Sequence, residues 1–385
     1  MMTIPLVTIL GTVIYLEKTL INNLINWPPY SQDQLGLSKN ISTNIGCLDK
    51  RLHHKACPNG LHFRKLHPED GGGTISNFYN NQGIRTSESN PKLRKKIDFS
   101  VVKNFFVGDS FLEADEVPFD KTLSSVFNKL SGENSLQLGY SSWAPIQYVR
   151  VFEGKNLSKK SNIYMFLYIN DFFPAGGNLF YHLLLNDVDS DFEFPDSYYL
   201  KTHSKLYAMW AKFTNASDEF KKDLIKIHLT SENENCDDLV TYRDKFHPEL
   251  FQYMVFNFKF TCWPDDFKSS VDSVVTDIKK FETELQQKNI KLHVFQIPHP
   301  FSFSDETSLG RAYSPLNLNQ DSKIYYSGLT KYLEKHLGNS LYTDLYQFIT
   351  NVKSKSLVQF YLPLDGHLNK TGHELIAKYI FENYN

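Results

Sequence analysis

The sequence predicts an α/β protein, a three-layer α/β/α arrangement around a doubly wound parallel sheet of the flavodoxin-like kind. Three observations carry this. Short apolar runs at 104–107, 135–138, 163–169 and 291–297 are each bounded by turn residues, helical periodicities occupy 122–130, 265–288 and 372–383, and the two kinds alternate along the chain. Near-continuous apolar strands are what a sheet covered on both faces requires.

At the N-terminus, residues 4–16 are apolar apart from two threonines and Tyr15, and no charge precedes Glu17. The stretch is shorter than the roughly 20 residues of a spanning helix, and it lacks the basic opening of a secretory signal. We read residues 1–25 as an N-terminal membrane anchor or signal, with a buried core helix as the alternative; the anchor reading implies an extracytoplasmic (periplasmic or cell-surface) address and membrane association through that end. Residues 26–95 are rich in Pro, Gly, Asn, Ser and His, include Gly71-Gly72-Gly73, and show little periodicity, so they read as an irregular lead-in. Residues 96–385 form the α/β domain. Its rhythm is broken over about 174–251 by a helical insertion, which at the carboxyl ends of strands would form a lid or substrate wall.

The formal net charge is -2, from 41 basic and 43 acidic residues, which leaves no field to gather nucleic acid. The partner expected is therefore a small molecule or a glycan. Cys47, Cys57, Cys236 and Cys262 make no Cys-x-x-Cys pair and no zinc-type spacing, and His53, His54, His62 and His67 lack fixed ligand spacing, so neither metal nor cofactor is expected. Cys47 and Cys57 are close enough for a disulfide, and two free buried thiols are an equally simple alternative.

The chemistry lies in the loops after the strands. Gly108-Asp109-Ser110-Phe111 directly follows the run at 104–107, which places a serine hydroxyl at the carboxyl edge of the sheet. A serine attacks only when a base removes its proton, and Asp365-Gly366-His367 supplies an imidazole with an orienting carboxylate one residue away. Thr371-Gly372-His373-Glu374 fits a capping box that would start the following helix. A tetrahedral intermediate also needs oxyanion donors, and Asn170 follows the run at 163–169 with a carboxamide that can donate. The turn Gly139-Tyr140-Ser141-Ser142 offers a backbone N–H. His299, in Pro298-His299-Pro300, follows the run at 291–297 and is a candidate substrate contact, with a solvated loop histidine as the alternative.

These four pieces, in this order, resemble the SGNH (GDSL) hydrolase family over residues 75–385. By that resemblance Ser110 is the nucleophile and its own N–H an oxyanion donor, and Asn170 in Tyr168-Ile169-Asn170-Asp171 matches the third block, with Tyr168 where the family has glycine. Asp365 and His367, with Asn369 and Gly372, match the terminal block, especially as it stands in the bacterial membrane-linked and alginate-acetylating branches. Asn80-Asn81-Gln82-Gly83-Ile84-Arg85 is similar to the lead-in of those branches. The departure lies in the second block, where the oxyanion glycine falls on Ser142, with Gly139 as the alternative.

The resemblance implies an ester hydrolase acting on an acyl ester or an acetylated glycan, without cofactor. An O-acetyltransferase acting on a cell-surface polysaccharide would use the same triad, and a glycan- or partner-binding protein that has lost its activity is the reading of a different class.

Overall fold

The computed structural model of the chain describes residues 46–49, 52–66, 68–141, 143–173, 236, 255–302, 326–352, 360–362 and 365–384. All of them fall within one compact unit made of Asn40–Val188 and Ile227–Asn385. Residues 1–25, Ser142 and the expected insertion, apart from Cys236, lie outside the described residues.

The lead-in is not irregular where it is described. Strands β1 (Gly46–Asp49) and β2 (His53–Ala56) pair antiparallel, and β3 (Leu61–Lys65), β4 (Thr74–Tyr79) and β5 (Arg85–Thr86) form a second antiparallel sheet. Periodicity misses them because they are short and are held by devices that it does not register. Cys47 is bonded to Cys57 across the first pair. Arg94, only 6% exposed, donates from Nη1 to the carbonyls of Asn59, Gly60 and Tyr79 at 3.0, 3.1 and 3.2 Å. One guanidinium thus satisfies several buried backbone acceptors that would otherwise be costly.

The main sheet comprises β6 (Asn104–Gly108), β7 (Ser135–Gly139), β8 (Asn162–Leu167), β9 (Lys291–Gln296) and β10 (Tyr342–Asp344). All are parallel, in the order β10-β9-β8-β6-β7. This is the flavodoxin-like order. The four expected strands are present, and β10 is a three-residue edge strand too short to announce itself.

Pleating sorts the strand residues between two helical layers. Phe106 stacks on its neighbour Tyr164 at 4.9 Å and meets Phe127, 5.2 Å away, from α2 (Leu123–Ser131), which in turn meets Phe381 of α7 (Lys370–Tyr384) at 6.2 Å. Phe105, one position earlier, faces the other way, against Phe152, which follows α3 (Pro145–Arg150) and stacks on Phe281 of α4 (Asp265–Gln287). The buried residues of α4, Phe267, Ser270, Val271, Val274, Val275, Ile278, Phe281 and Leu285, recur at the three- and four-residue spacings of one helix face, which makes the single stripe that a sheet-covering helix needs. Helices α5 (Ser327–Leu337) and α6 (Tyr346–Asn351) flank β10 in sequence. Phe105, Phe106 and Val107 are fully buried, and truncating either phenylalanine to alanine would cost about 3–5 kcal/mol.

The chain leaves β6 to β7 on one side and to β8 on the other, so the order reverses between β6 and β8. In open α/β sheets the crevice at such a switch point, beyond the carboxyl ends of the strands, is where ligands bind.

Candidate active site

The ladder brings three strand ends level, with Gly108 opposite Gly139 and Val107 opposite Met165. Beyond Gly108 the chain turns at Asp109, whose Oδ1 accepts the Phe111 N–H at 3.0 Å and so caps α1 (Ser110–Glu113). Ser110 occupies the first position of this helix and is half-buried. β7 passes close beneath, so that a Cβ on Gly139 would lie 2.4 Å from the backbone carbon of Leu112. Glycine at 139 is therefore needed to seat α1.

His367 reaches the same spot from the far end of the chain. Its Nε2 lies 2.8 Å from Ser110 Oγ, its Nδ1 bonds Asp365 Oδ1, and its ring packs on Phe111 with centroids 4.7 Å apart. The carrying loop is a closed turn: Leu362 donates to the His367 carbonyl at 2.8 Å, Gly366 donates back to Leu362 at 2.9 Å, and Gly366 sits at a φ of 82° that favours glycine. The helix that follows begins earlier than the expected capping box at Thr371. Asn369 is the cap, its Oδ1 accepting the N–H groups of Thr371 and Gly372 at 2.9 and 3.0 Å. A short amide side chain one residue before the helix does this directly, so Thr371 lies inside the first turn.

Asn170 lies in a 3-10 turn, Ile169–Phe172, just past β8 and is half-buried. Its Nδ2 donates to Asp109 Oδ2 at 3.4 Å, which ties it to the serine turn and leaves the second N–H of the carboxamide for another acceptor. Tyr168, where a glycine was expected by resemblance, has an ordinary φ of −121°; its N–H donates to Asp171 Oδ2 at 2.9 Å, and its ring lies 4.2 Å from Phe111. Asp171 also accepts from Tyr148 Oη at 2.9 Å. Nothing in this turn calls for glycine.

His299 is placed behind the site. It is 2% exposed, its ring stacks on Tyr168 at 5.6 Å, and burial pushes its pKa down to about 3. It braces the wall that carries Tyr168 and is not presented to solvent. The Ser142 N–H lies outside the described residues. Its neighbour Ser141 donates its N–H to Glu113 Oε2 at 2.7 Å, and Glu113 Oε1 accepts from Tyr79 Oη at 3.0 Å, so a buried carboxylate ties the segment just past β7 to the end of α1 and to β4.

Arg64, Glu113 and Glu116 escape sequence reasoning. From β3, Arg64 Nη2 donates to Asp365 Oδ2 at 2.6 Å and lies 3.2 Å from Glu116 Oε1. Glu116 Oε1 is in turn 3.9 Å from His367 Nδ1. Strands β3–β5 grip the segment after α1: Asn77 Nδ2 donates to the Asp115 carbonyl at 2.8 Å, Arg85 donates to the carbonyls of Glu113, Ala114 and Val117, and His62 Nδ1 lies 3.3 Å from Asp115 Oδ2. The one signal available was the alternation Leu61-His62-Phe63-Arg64-Lys65, which puts His62 and Arg64 on one face of a strand.

The charges work together. Burial would raise the Asp365 carboxyl, but His367 and Arg64 outweigh it and hold that pKa well below the usual range. Burial likewise opposes charge on His367, yet Asp365 and Glu116 raise its pKa above the ordinary 6.5. Glu116 is pushed up by burial and by Asp115 and Asp365, which favours its neutral form. Glu116, Asp365 and His367 also bring one ligand atom each within 4.8 Å of one another, the spacing of a metal group, but the Arg64 guanidinium already supplies the positive charge at this acidic focus.

No protein-family model matches the chain, and no curated protein matches it.

Proposed function

We propose that the chain is a serine-dependent ester hydrolase of the SGNH kind, acting on a carbohydrate or lipid acyl ester. The observation that carries the reading is the His367 ring spanning Ser110 Oγ and Asp365 Oδ1 through its two nitrogens. This is the arrangement that turns a weak alcohol into a nucleophile.

In the proposed reaction Ser110 Oγ attacks the acyl carbonyl while His367 Nε2 takes its proton. Asp365 holds the ring and stabilises the imidazolium. The tetrahedral oxyanion is held by the Ser110 N–H, the Asn170 carboxamide and the Ser142 N–H, with Gly139 serving the packing of α1. The imidazolium then protonates the leaving alkoxide. A water activated by the same histidine releases the acid and restores Ser110; a sugar hydroxyl in place of water would make the same chain an O-acetyltransferase. The bonds Cys47–Cys57 and Cys236–Cys262 favour an oxidising, extracytoplasmic setting. No helix among the described residues is long and apolar enough to cross a membrane, and residues 1–25 lie outside them.

The test compares p-nitrophenyl acetate hydrolysis by the wild type and Ser110→Ala, with an acetylated glycan and an unacetylated acceptor alongside. Ester cleavage that vanishes with Ser110 supports the reading, and acetyl on the acceptor selects transfer. Equal rates for the two proteins would leave a binding protein as the better description.

A further inference from the structure

We propose that Arg64 is a positioning residue for the triad: it holds Asp365 from the oxygen that His367 does not use, so that the strands preceding the α/β domain form part of the catalytic apparatus. The inference rests on the esterase reading for its kinetic consequences, though not for its geometry.

The two oxygens of Asp365 have divided duties. Oδ1 takes His367 Nδ1 and Oδ2 takes Arg64 Nη2 at 2.6 Å, so rotation of the carboxylate is stopped at both ends. An outside tether is needed here because Asp365 shares a tight turn with His367, and Gly366 between them has no side chain with which to anchor it. Arg64 is itself placed by the β3–β4 ladder, where it pairs with Ile75, and that ladder is fastened to the nucleophile segment through Asn77 and Tyr79. The same β-sheet therefore references Asp365 to the loop that follows Ser110.

The second carboxyl at this point gives Arg64 a further task. Glu116 Oε1 stands 3.9 Å from His367 Nδ1, on the nitrogen Asp365 uses, and Arg64 lies between the two acids, 3.2 Å from Glu116. Without the Arg64 cation, Asp365 would face the charge of Asp115 and, whenever it ionises, that of Glu116, with Arg85, His62 and His367 as the cationic partners left to this cluster. Repulsion would then displace Asp365 or drive its protonation. A salt bridge that merely docks the lead-in would show none of these effects, because its loss would lower stability and leave the triad geometry alone.

The experiment uses the full chain as wild type, Arg64→Met, Arg64→Lys and Asp365→Asn. Esterase kinetics should show kcat reduced on the order of 100-fold in Arg64→Met with KM little changed, the effect of slight misplacement of a catalytic group. Arg64→Lys should recover part of it, because an ammonium restores charge without the planar fork. Carboxyl and imidazole NMR provide a readout that needs no substrate: in Arg64→Met the Asp365 carboxyl should titrate at higher pH than in the wild type, and the downfield His367 Nδ1–H signal should be lost as in Asp365→Asn. If the wild type shows no esterase activity, the NMR arm alone decides on Arg64. If Arg64→Met fails to fold, Arg64→Lys carries the test through a kcat loss of at least tenfold. Wild-type kcat and unchanged Asp365 and His367 signals in a folded Arg64 variant would overturn the proposal.

Discussion

The Ser141 amide donates to Glu113 Oε2 at 2.7 Å, and through this bond the turn expected to hold the oxyanion is tied to the last residue of α1. Tyr79 Oη occupies the other oxygen at 3.0 Å. Replacing Glu113 by alanine leaves a buried hydroxyl and a backbone N–H without their acceptor, each costing about 1–3 kcal/mol. Glutamine can satisfy both, its oxygen accepting from Ser141 and its amide donating to a hydroxyl that can equally accept. Glu113→Ala should thus lower both Tm and kcat, and Glu113→Gln should lower neither. Thermal melts and initial rates on the two variants check this, and equal losses would contradict it.

Glu113 also makes a pH signature. Burial and Asp115 push its pKa up to about 7 from an ordinary 4.5, against the opposing pull of Ser141, Tyr79 and Arg85. A carboxyl raised on folding binds more protons in the folded state between those values, so its contribution is complete below pH 4.5 and is lost as pH rises to about 7. Asp109 and Glu116 are shifted in the same direction by burial, so only a difference isolates Glu113. The fall in Tm across that window should be shallower in Glu113→Gln than in the wild type, and parallel curves would refute the assignment.

On the esterase reading, His367 sets a second pH dependence, of activity. It accepts the Ser110 proton only when neutral, and Asp365 and Glu116 raise its pKa above 6.5 despite its burial. kcat/KM should therefore climb with pH along a limb lying alkaline of 6.5. Asp365→Asn should move this limb to lower pH and cut kcat on the order of 10⁴-fold, since the ring loses both its counter-charge and its tautomer. A pH–rate series on the two proteins decides; a limb that stays in place would mean that His367 is not the titrating base.

What the sequence disclosed and what it hid divide along physical lines. The strands at 104–107 and 163–169 could be read because their burial on both faces demands unbroken apolar runs. Ser110, Asn170 and His367 could be read because each stands just past such a run or in a recognisable block. Arg64 could not: its partner is 301 positions away, and a single arginine in a short strand has no period. Glu113 and Glu116 resemble ordinary helix-end acids until folding buries them. β10 was too brief to detect, and the Cys236–Cys262 bond joins segments with no shared pattern.

The two disulfides make unequal contributions that can be ranked in advance. Cys47–Cys57 spans 10 residues and Cys236–Cys262 spans 26. On loop-closure entropy the first should stabilise by about 2.7 kcal/mol and the second by about 3.5 kcal/mol. Denaturant unfolding of the paired Cys→Ser variants should show the larger loss for Cys236 and Cys262, and the reverse order would indicate that native-state contacts dominate.

Asn170 provides the sharpest test of the oxyanion assignment. One N–H of its carboxamide is held by Asp109 Oδ2 at 3.4 Å, and this fixes the direction of the other. If that second N–H meets the developing oxyanion, the interaction is gained in the transition state rather than in substrate binding. Asn170→Ala should then lower kcat on the order of 10²–10³-fold with little change in KM. Asp109→Asn offers a control for the tether: an amide whose oxygen still accepts the Phe111 N–H sets its NH2 donor against Asn170, which would loosen the carboxamide while leaving it present. Its kcat should fall less than that of Asn170→Ala. A steady-state comparison in which Asn170→Ala raises KM and spares kcat would assign the residue to substrate binding and leave the oxyanion to backbone amides alone.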